Sequence, residues 1–304
     1  MVHVDIIIQI VQHRGFAVEL LTPNQVARSI GVSEASIKRW CDKGTVASIR
    51  TAGGHRRLPL NEVMRFIRQT GQPIVRPEVL GLPPRTGRGK ETLKRAQAQM
   101  RPALEAGDEQ RIARIAFDLY LAGHMICDIC DQVLAPAFHG IGSRWQHGEI
   151  EVYEERRACE ACMRVLYQMR NVLPSVPDSA PRAIGATLEG DPYTLPTLMA
   201  ETVLREAGWR ADSFGTGHPF STLCAAIGDV RPRLFWLSVS TIGSVPDFLA
   251  GYAMFYETAV QCDVRVVVGG RALTEAIRRR IEYAAYGDTL RHLISFARSA
   301  HSSA

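Results

Sequence analysis

Two stretches, LTPNQVARSIGVSEASIKRWCDK (Leu21–Lys43) and IRTAGGHRRL (Ile49–Leu58), decide how the first part of the chain folds. The first predicts two short amphipathic helices about a glycine turn. Thr22 and Pro23 suit an N-cap and a first helical turn, Val26, Ala27, Ile30 and Val32 supply a packing face, and Gly31 permits the turn. Ser33 then caps a second helix, in which Ala35, Ile37 and Trp40 face inward and Glu34, Ser36, Lys38 and Arg39 are left to face a groove. After a short turn at Gly44, the second stretch predicts a hairpin. Gly53 and Gly54 allow a tight tip, and Arg50, His55, Arg56 and Arg57 present donors that phosphate oxygens or a minor groove can accept. Asn61, Glu62, Val63, Phe66 and Ile67 fit a helix that braces the hairpin.

Charge supports the same reading. The whole chain of 304 residues carries a formal net charge of +5. Between Leu20 and Gly71, nine basic residues stand against Glu34, Asp42 and Glu62, so this small segment holds the entire excess. Basic residues gathered in one unit are the footprint of a phosphate-backbone binder. The candidate DNA-contacting set is Thr22, Ser33, Ser36, Lys38, Arg39, Arg50, Gly53, Gly54, His55, Arg56 and Arg57.

The chain is long enough for two or three compact units. Residues 1–19 read as an N-terminal extension and 20–71 as the DNA-binding unit. The stretch 72–90, with Pro73, Pro77, Pro83, Pro84, Arg76, Arg85, Arg88 and Lys90, reads as a solvated linker. From 91 to 174 apolar residues recur at helical spacing, as in Ile112, Ile115, Ala116, Leu119 and Val133, Leu134, Ala137, Phe138, which predicts a four-helix bundle. Residues 181–304 alternate short apolar runs with helical stretches. Strands are expected at 183–187, 211–214, 234–238 and 264–268, with helices at 194–207, 220–230 and 245–257. Such alternation makes a Rossmann-like, flavodoxin-like parallel sheet with helices on both faces, whose ligands bind at the strands' C-terminal ends. The whole is a multidomain α and α/β chain. The apolar run Ile6–Ile8 is interrupted by polar residues and suits neither a signal peptide nor a membrane span, so a cytoplasmic location is expected.

The hairpin sequence resembles, residue for residue, the wing of MerR-type and excisionase-type winged helix-turn-helix domains. The order of units resembles the light-responsive, cobalamin-dependent MerR-type repressors of carotenoid genes, the CarH and LitR group. In their bundle a Trp is followed after nine residues by Glu-His; here Trp145 is followed after nine by Glu155, and then by Arg156. The resemblance implies a cobalamin site at the first loop of the sheet domain, where the pattern D-x-H-x-x-G supplies a cobalt-ligating His. Here Asp191 matches, Tyr193 stands in place of the ligand and Pro196 in place of the glycine. Ser238, Ser240, Gly269 and Gly270 match later elements that admit a nucleotide tail, and His218 is a candidate displaced ligand. Base-on cobalamin, another flat ligand such as haem or a different tetrapyrrole, and no ligand all stay open for this half.

Cys127 with Cys130 and Cys159 with Cys162 form two i,i+3 pairs that could close a metal site, act as a redox pair, or pack as small apolar side chains. The expected protein is a homo-oligomeric, non-enzymatic transcription regulator, a repressor, that binds an inverted repeat in double-stranded DNA and uses its C-terminal half for assembly or for sensing a small-molecule effector, with no membrane partner. The alternative is a corrinoid carrier or methyltransferase module.

Overall fold

The computed structural model describes residues 19–87 and 91–302. The extension before Glu19, and Arg88 and Lys90 of the spacer, lie outside the described residues.

The first unit runs β1 (Leu20–Leu21), α1 (Pro23–Ile30), α2 (Glu34–Asp42), β2 (Ile49–Arg50), β3 (Arg56–Pro59) and α3 (Leu60–Thr70). Strand β3 is central in an antiparallel sheet, with Leu21 opposite Leu58 and Arg50 opposite Arg56. Local chemistry fixes the helix ends. The Thr22 hydroxyl accepts the Gln25 N–H while the Gln25 side chain accepts the Thr22 N–H, and Gly31 ends α1 at φ 75°. Ile37 of α2 is buried with Val26, Ile30, Leu58, Val63 and Met64, and the Trp40 ring lies 5.0 Å from that of Phe66. Ala35, expected inside, is exposed. The buried side of α2 is narrower than its apolar residues suggest.

The spacer is packed rather than solvated. Pro77–Leu80 form a short 3-10 turn, Ile74, Leu80 and Leu82 are buried, and the N–H groups of Val75 and Arg76 donate to the carbonyl of Ser29 at the end of α1. Prolines every few residues exclude a helix, but they do not stop the apolar residues between them from covering a core.

The helical segment holds α4 (Leu93–Ala106), α5 (Glu109–Leu121), α6 (Ile126–Ile129), α7 (Ala135–Gln146) and α8 (Val152–Arg170). A π turn, Cys130–Leu134, joins α6 to α7 without a break. Pro136 explains it: proline brings no N–H, and its ring clashes with the carbonyl four residues back. That carbonyl, of Gln132, accepts the side-chain amide of Gln97 instead.

The last unit is a five-stranded parallel sheet of β4 (Arg182–Thr187), β5 (Arg210–Ser213), β6 (Leu234–Ser238), β7 (Arg265–Gly269) and β8 (Ala285–Gly287), in the order β5-β4-β6-β7-β8. Helices α9 (Thr194–Glu206), α10 (Phe220–Val230), α11 (Val245–Gln261), α12 (Glu275–Arg278) and α13 (Leu290–Ser302) complete it. One sheet face, with Leu234, Trp236 and Val267, packs on α9, α13 and the helical segment in a core continuous with that of the first unit. The opposite face, with Phe235, Leu237 and Val239, packs on α10 and α11. The connection from β5 to β6 reverses direction across β4, so the crevice beyond the ends of β4 and β6 is the switch point where ligands of such sheets bind.

Candidate functional site

Helix α2 and the β2–β3 hairpin enclose a concavity of about 360 Å³ lined by Lys38, Asp42, Arg50, Gly54, His55 and Arg56. Lys38, Arg39, Lys43, Arg50 and His55 are exposed. The Lys38 ammonium lies 2.8 Å from Glu34 and holds that carboxyl below the usual range. Arg56 is engaged within the protein: its guanidinium donates to the Lys38 carbonyl at 2.9 Å and to Asp42 at 2.5 Å, tying the hairpin to the end of α2. Arg57 donates to the Arg56 carbonyl at 3.0 Å, and Arg50 to that of Gly54 at 3.2 Å. Thr22 and Ser33 serve as caps, the Ser33 hydroxyl accepting the Ser36 N–H at 3.1 Å. Of the two hairpin glycines, Gly54 is the one at positive φ, 78°.

At the switch point, Asp191 is 2% exposed. One of its oxygens accepts the N–H groups of Ser240 (2.5 Å) and Thr241 (3.2 Å), the other that of Tyr193 (3.1 Å). It clamps the loop after β4 to the loop after β6. Two guanidinium groups lie over the Tyr193 ring, Arg156 of α8 at 5.5 Å and Arg271 at 5.1 Å from its centre. Arg271 also donates to the Tyr193 hydroxyl at 3.3 Å and to the Ser240 carbonyl at 3.2 Å. Thus Arg156 of the helical segment and Tyr193 of the sheet unit meet across the boundary between the helices and the sheet. Glu155 accepts from the Cys159 thiol, while Trp145 is 44% exposed. The His218 Nε2 is paired with the Phe214 carbonyl at 2.8 Å.

Beside this crevice lies a cavity of about 290 Å³. Of the candidate residues, Ser238, Gly269 and Gly270 line it; Tyr193, His218 and Ser240 do not. Sequence reasoning missed the other walls, Phe138 and His139 of α7, Met199 and Ala200 of α9, and Trp236 of β6. The Trp236 indole lies flat over Gly185, where a Cβ would stand 2.1 Å from the ring, and donates to Thr197 at 2.9 Å. A glycine inside the buried strand run AIGAT, answered by a tryptophan in LFWLS, was the available signal.

Cys127, Cys130 and Cys162 are buried and Cys159 is half-buried. Among the described residues, no three His, Cys, Asp or Glu side chains gather in an arrangement that could hold a metal ion. Burial pushes the Cys130 and Cys162 thiols up, and burial with the Glu155 carboxylate pushes Cys159 up to about 12. Thiols held protonated are poor nucleophiles and poor ligands. Iodoacetamide at pH 8 is expected to spare Cys130 and Cys162 in the native chain and to modify all seven cysteines after denaturation, as peptide mass mapping would show. Native labelling of either would overturn this packing role.

Residues 20–71 match a helix-turn-helix domain family, and residues 96–169 match the B12 binding domain family. The class of protein is therefore a helix-turn-helix unit joined to a B12-binding-type helical segment and a Rossmann-like parallel sheet. The chain is 26% identical over 244 residues to the HTH-type transcriptional repressor CarH of Myxococcus xanthus, covering 74% of this chain and 80% of that protein. It is 20% identical over 205 residues to trimethylamine corrinoid protein 1 of Methanosarcina acetivorans, covering 66% of this chain and 95% of that one. The Methanosarcina barkeri monomethylamine corrinoid protein superposes with a TM-score of 0.58 at 15% identity, over 70% of this chain and all of that one, a likeness of fold. No described helix is long and apolar enough to cross a membrane.

A flat group of the B12 kind does not fit between Arg156 and Tyr193 as the two side chains stand. A flat macrocycle between Arg156 and Tyr193 needs a contact of about 3.5 Å on each face, roughly 7 Å in all, and the two groups are 5.5 Å apart.

Proposed function

We propose that the chain is a sequence-specific DNA-binding transcription repressor that binds an inverted-repeat operator as a homo-oligomer, and that its C-terminal half serves assembly or receives a small effector at the cavity rather than working as a cobalt-based sensor. The observation that carries this reading is the set of exposed cations, Lys38, Arg39, Lys43 and Arg50, with the exposed His55, on α2, at its end and on the hairpin that faces it. A row of such donors follows a phosphate backbone, and an exposed helix beside it reads base edges. The carrier reading draws on the corrinoid-protein likeness of the C-terminal two thirds, but it leaves the basic unit without a role and lacks a nitrogen donor at Tyr193.

The full chain is to be used for selection from a random duplex pool, then titrated against the selected duplex at several salt concentrations. A linear fall of log affinity with log salt is expected, shallower by about one unit for Lys38→Ala and for Arg39→Ala. In parallel, the absorption spectrum of hydroxocobalamin should stay unchanged on adding the chain. No enriched duplex, together with a shifted corrinoid spectrum, would overturn the repressor reading in favour of the carrier.

A further inference from the structure

Helix α9 reaches both the cavity and the DNA-binding unit. Its first half contributes Leu195, Met199 and Ala200 to the cavity wall. Its last residue, Glu206, lies about 16 Å along the axis from Leu195 and about 9 Å from Ala200, at 1.5 Å per residue, and there meets Arg68 from the last turn of α3. The Arg68 guanidinium is 3.4 Å from the Glu206 carboxylate, lies 4.2 Å over the Tyr120 ring, and donates to the carbonyls of Gly123 (3.1 Å) and His124 (3.0 Å). The second Glu206 oxygen accepts the Ile126 N–H at 2.7 Å, at the start of the helix that carries Phe138 and His139 to the same cavity. One side chain of the DNA-binding unit is thus held by α5, by the loop before α6 and by the far end of α9.

We propose that α9 is a lever by which occupancy of the cavity sets the position of the DNA-binding unit, with Arg68 as the positioning residue that reads it. This rests on the regulator reading above.

The side chains of Arg68 and Glu206 are 23% and 10% exposed, so solvent and salt screen the pair less than a surface pair. Neither can move alone without leaving its partner's charge half-buried and unpaired. Halfway along the helix, Glu201, 4% exposed in its side chain, is gripped by Arg170 of α8 at 2.5 Å and by Arg205 at 2.9 Å. Between the cavity and Glu206, α9 is therefore pinned at one point and packed along its length, so displacement of Met199 and Ala200 is carried to its end as a rigid-body movement. The coupling is reciprocal: operator binding must favour one state of the cavity by the same factor.

The test is a double-mutant cycle on the full chain, reading operator dissociation constants by fluorescence anisotropy at fixed salt. Ala200→Phe introduces a ring into the cavity, and a space of about 150 Å³ is known to admit benzene, against about 290 Å³ here. Ala200→Phe is expected to change the dissociation constant at least about fivefold, the lower end of ordinary coupling, in the wild-type background, and less than about twofold in Glu206→Gln. Glu206→Gln keeps an acceptor for the Ile126 N–H and is the milder disruption; should it fail to fold, Arg68→Lys serves, retaining the charge but losing the fork to two carbonyls. Ala200→Phe acting equally in both backgrounds, or not at all in the wild type, overturns the proposal while the regulator reading stands. A wild-type chain that binds no selected duplex overturns both.

Discussion

Alanine at Gly270 is expected to lower the midpoint of thermal unfolding by roughly 5 °C, corresponding to about 3 kcal/mol for a chain of this size. Gly270 has φ 116°, a conformation that L side chains rarely adopt, and a Cβ there would stand 2.2 Å from the Val239 carbonyl oxygen and 2.8 Å from its nitrogen. Both obstacles are backbone. Val239 is itself fixed, its N–H donating to the Gly269 carbonyl at 2.8 Å and its carbonyl accepting from Ala272 at 3.1 Å. Relief would require the ends of β6 and β7 to part at the switch point. The control is Gly228→Ala on α10, exposed and with nothing within 4 Å of the new Cβ; it should gain about 0.5–1 kcal/mol from helix propensity. Calorimetry on the two variants decides the matter. A Gly270→Ala midpoint within a degree or two of wild type would mean that the two strand ends yield easily, and that the crevice is far softer than its hydrogen bonds imply.

The same residue shows what the sequence could and could not disclose. The glycine pair at 269 and 270 reads from sequence as room for a ligand. In the structure Gly269 and Gly270 both border the cavity, but Gly270 is required by the close approach of two backbones. Helix caps were legible because they are local: Thr22, Gly31 and Ser33 act within three or four residues of themselves. So were strands β4, β6 and β7, whose apolar runs are buried on both sheet faces. Strand β8 was not, since Ala285, Tyr286 and Gly287 are all half-buried and only pairing with β7 defines them. The packed spacer was missed because proline signals local geometry and says nothing of burial. The cavity was missed in larger part because its walls come from elements distant in sequence, and the contact between Arg156 and Tyr193 for the same reason. In the structure the Tyr193 ring lies within reach of the guanidinium groups of Arg156 and Arg271, and the Arg156 contact joins helices and sheet.

Replacing Arg56 by alanine is expected to weaken operator binding by roughly tenfold or more, about the loss of one good contact, with little change in the salt slope. The sequence places Arg56 among the phosphate-facing cations, and on that basis its removal should make the slope shallower by about one unit. The structure separates the two outcomes. Arg56 already donates to the Lys38 carbonyl and to Asp42, and its side chain is 16% exposed, so its charge is matched within the protein. What Arg56→Ala removes is the fastening that holds the hairpin against the end of α2, and hence the spacing of Arg50 and His55 from Lys38 and Arg39. Asp42→Asn should follow the same pattern, since it too loosens the hairpin. By contrast, Arg50→Ala should change both affinity and slope, because Arg50 is exposed and its one internal partner is the Gly54 carbonyl. Anisotropy titrations of the three variants between low and moderate salt distinguish the roles. A slope shallower by a full unit for Arg56→Ala would show that Arg56 leaves Asp42 for a phosphate on binding, and that the hairpin is set by the duplex rather than by the protein.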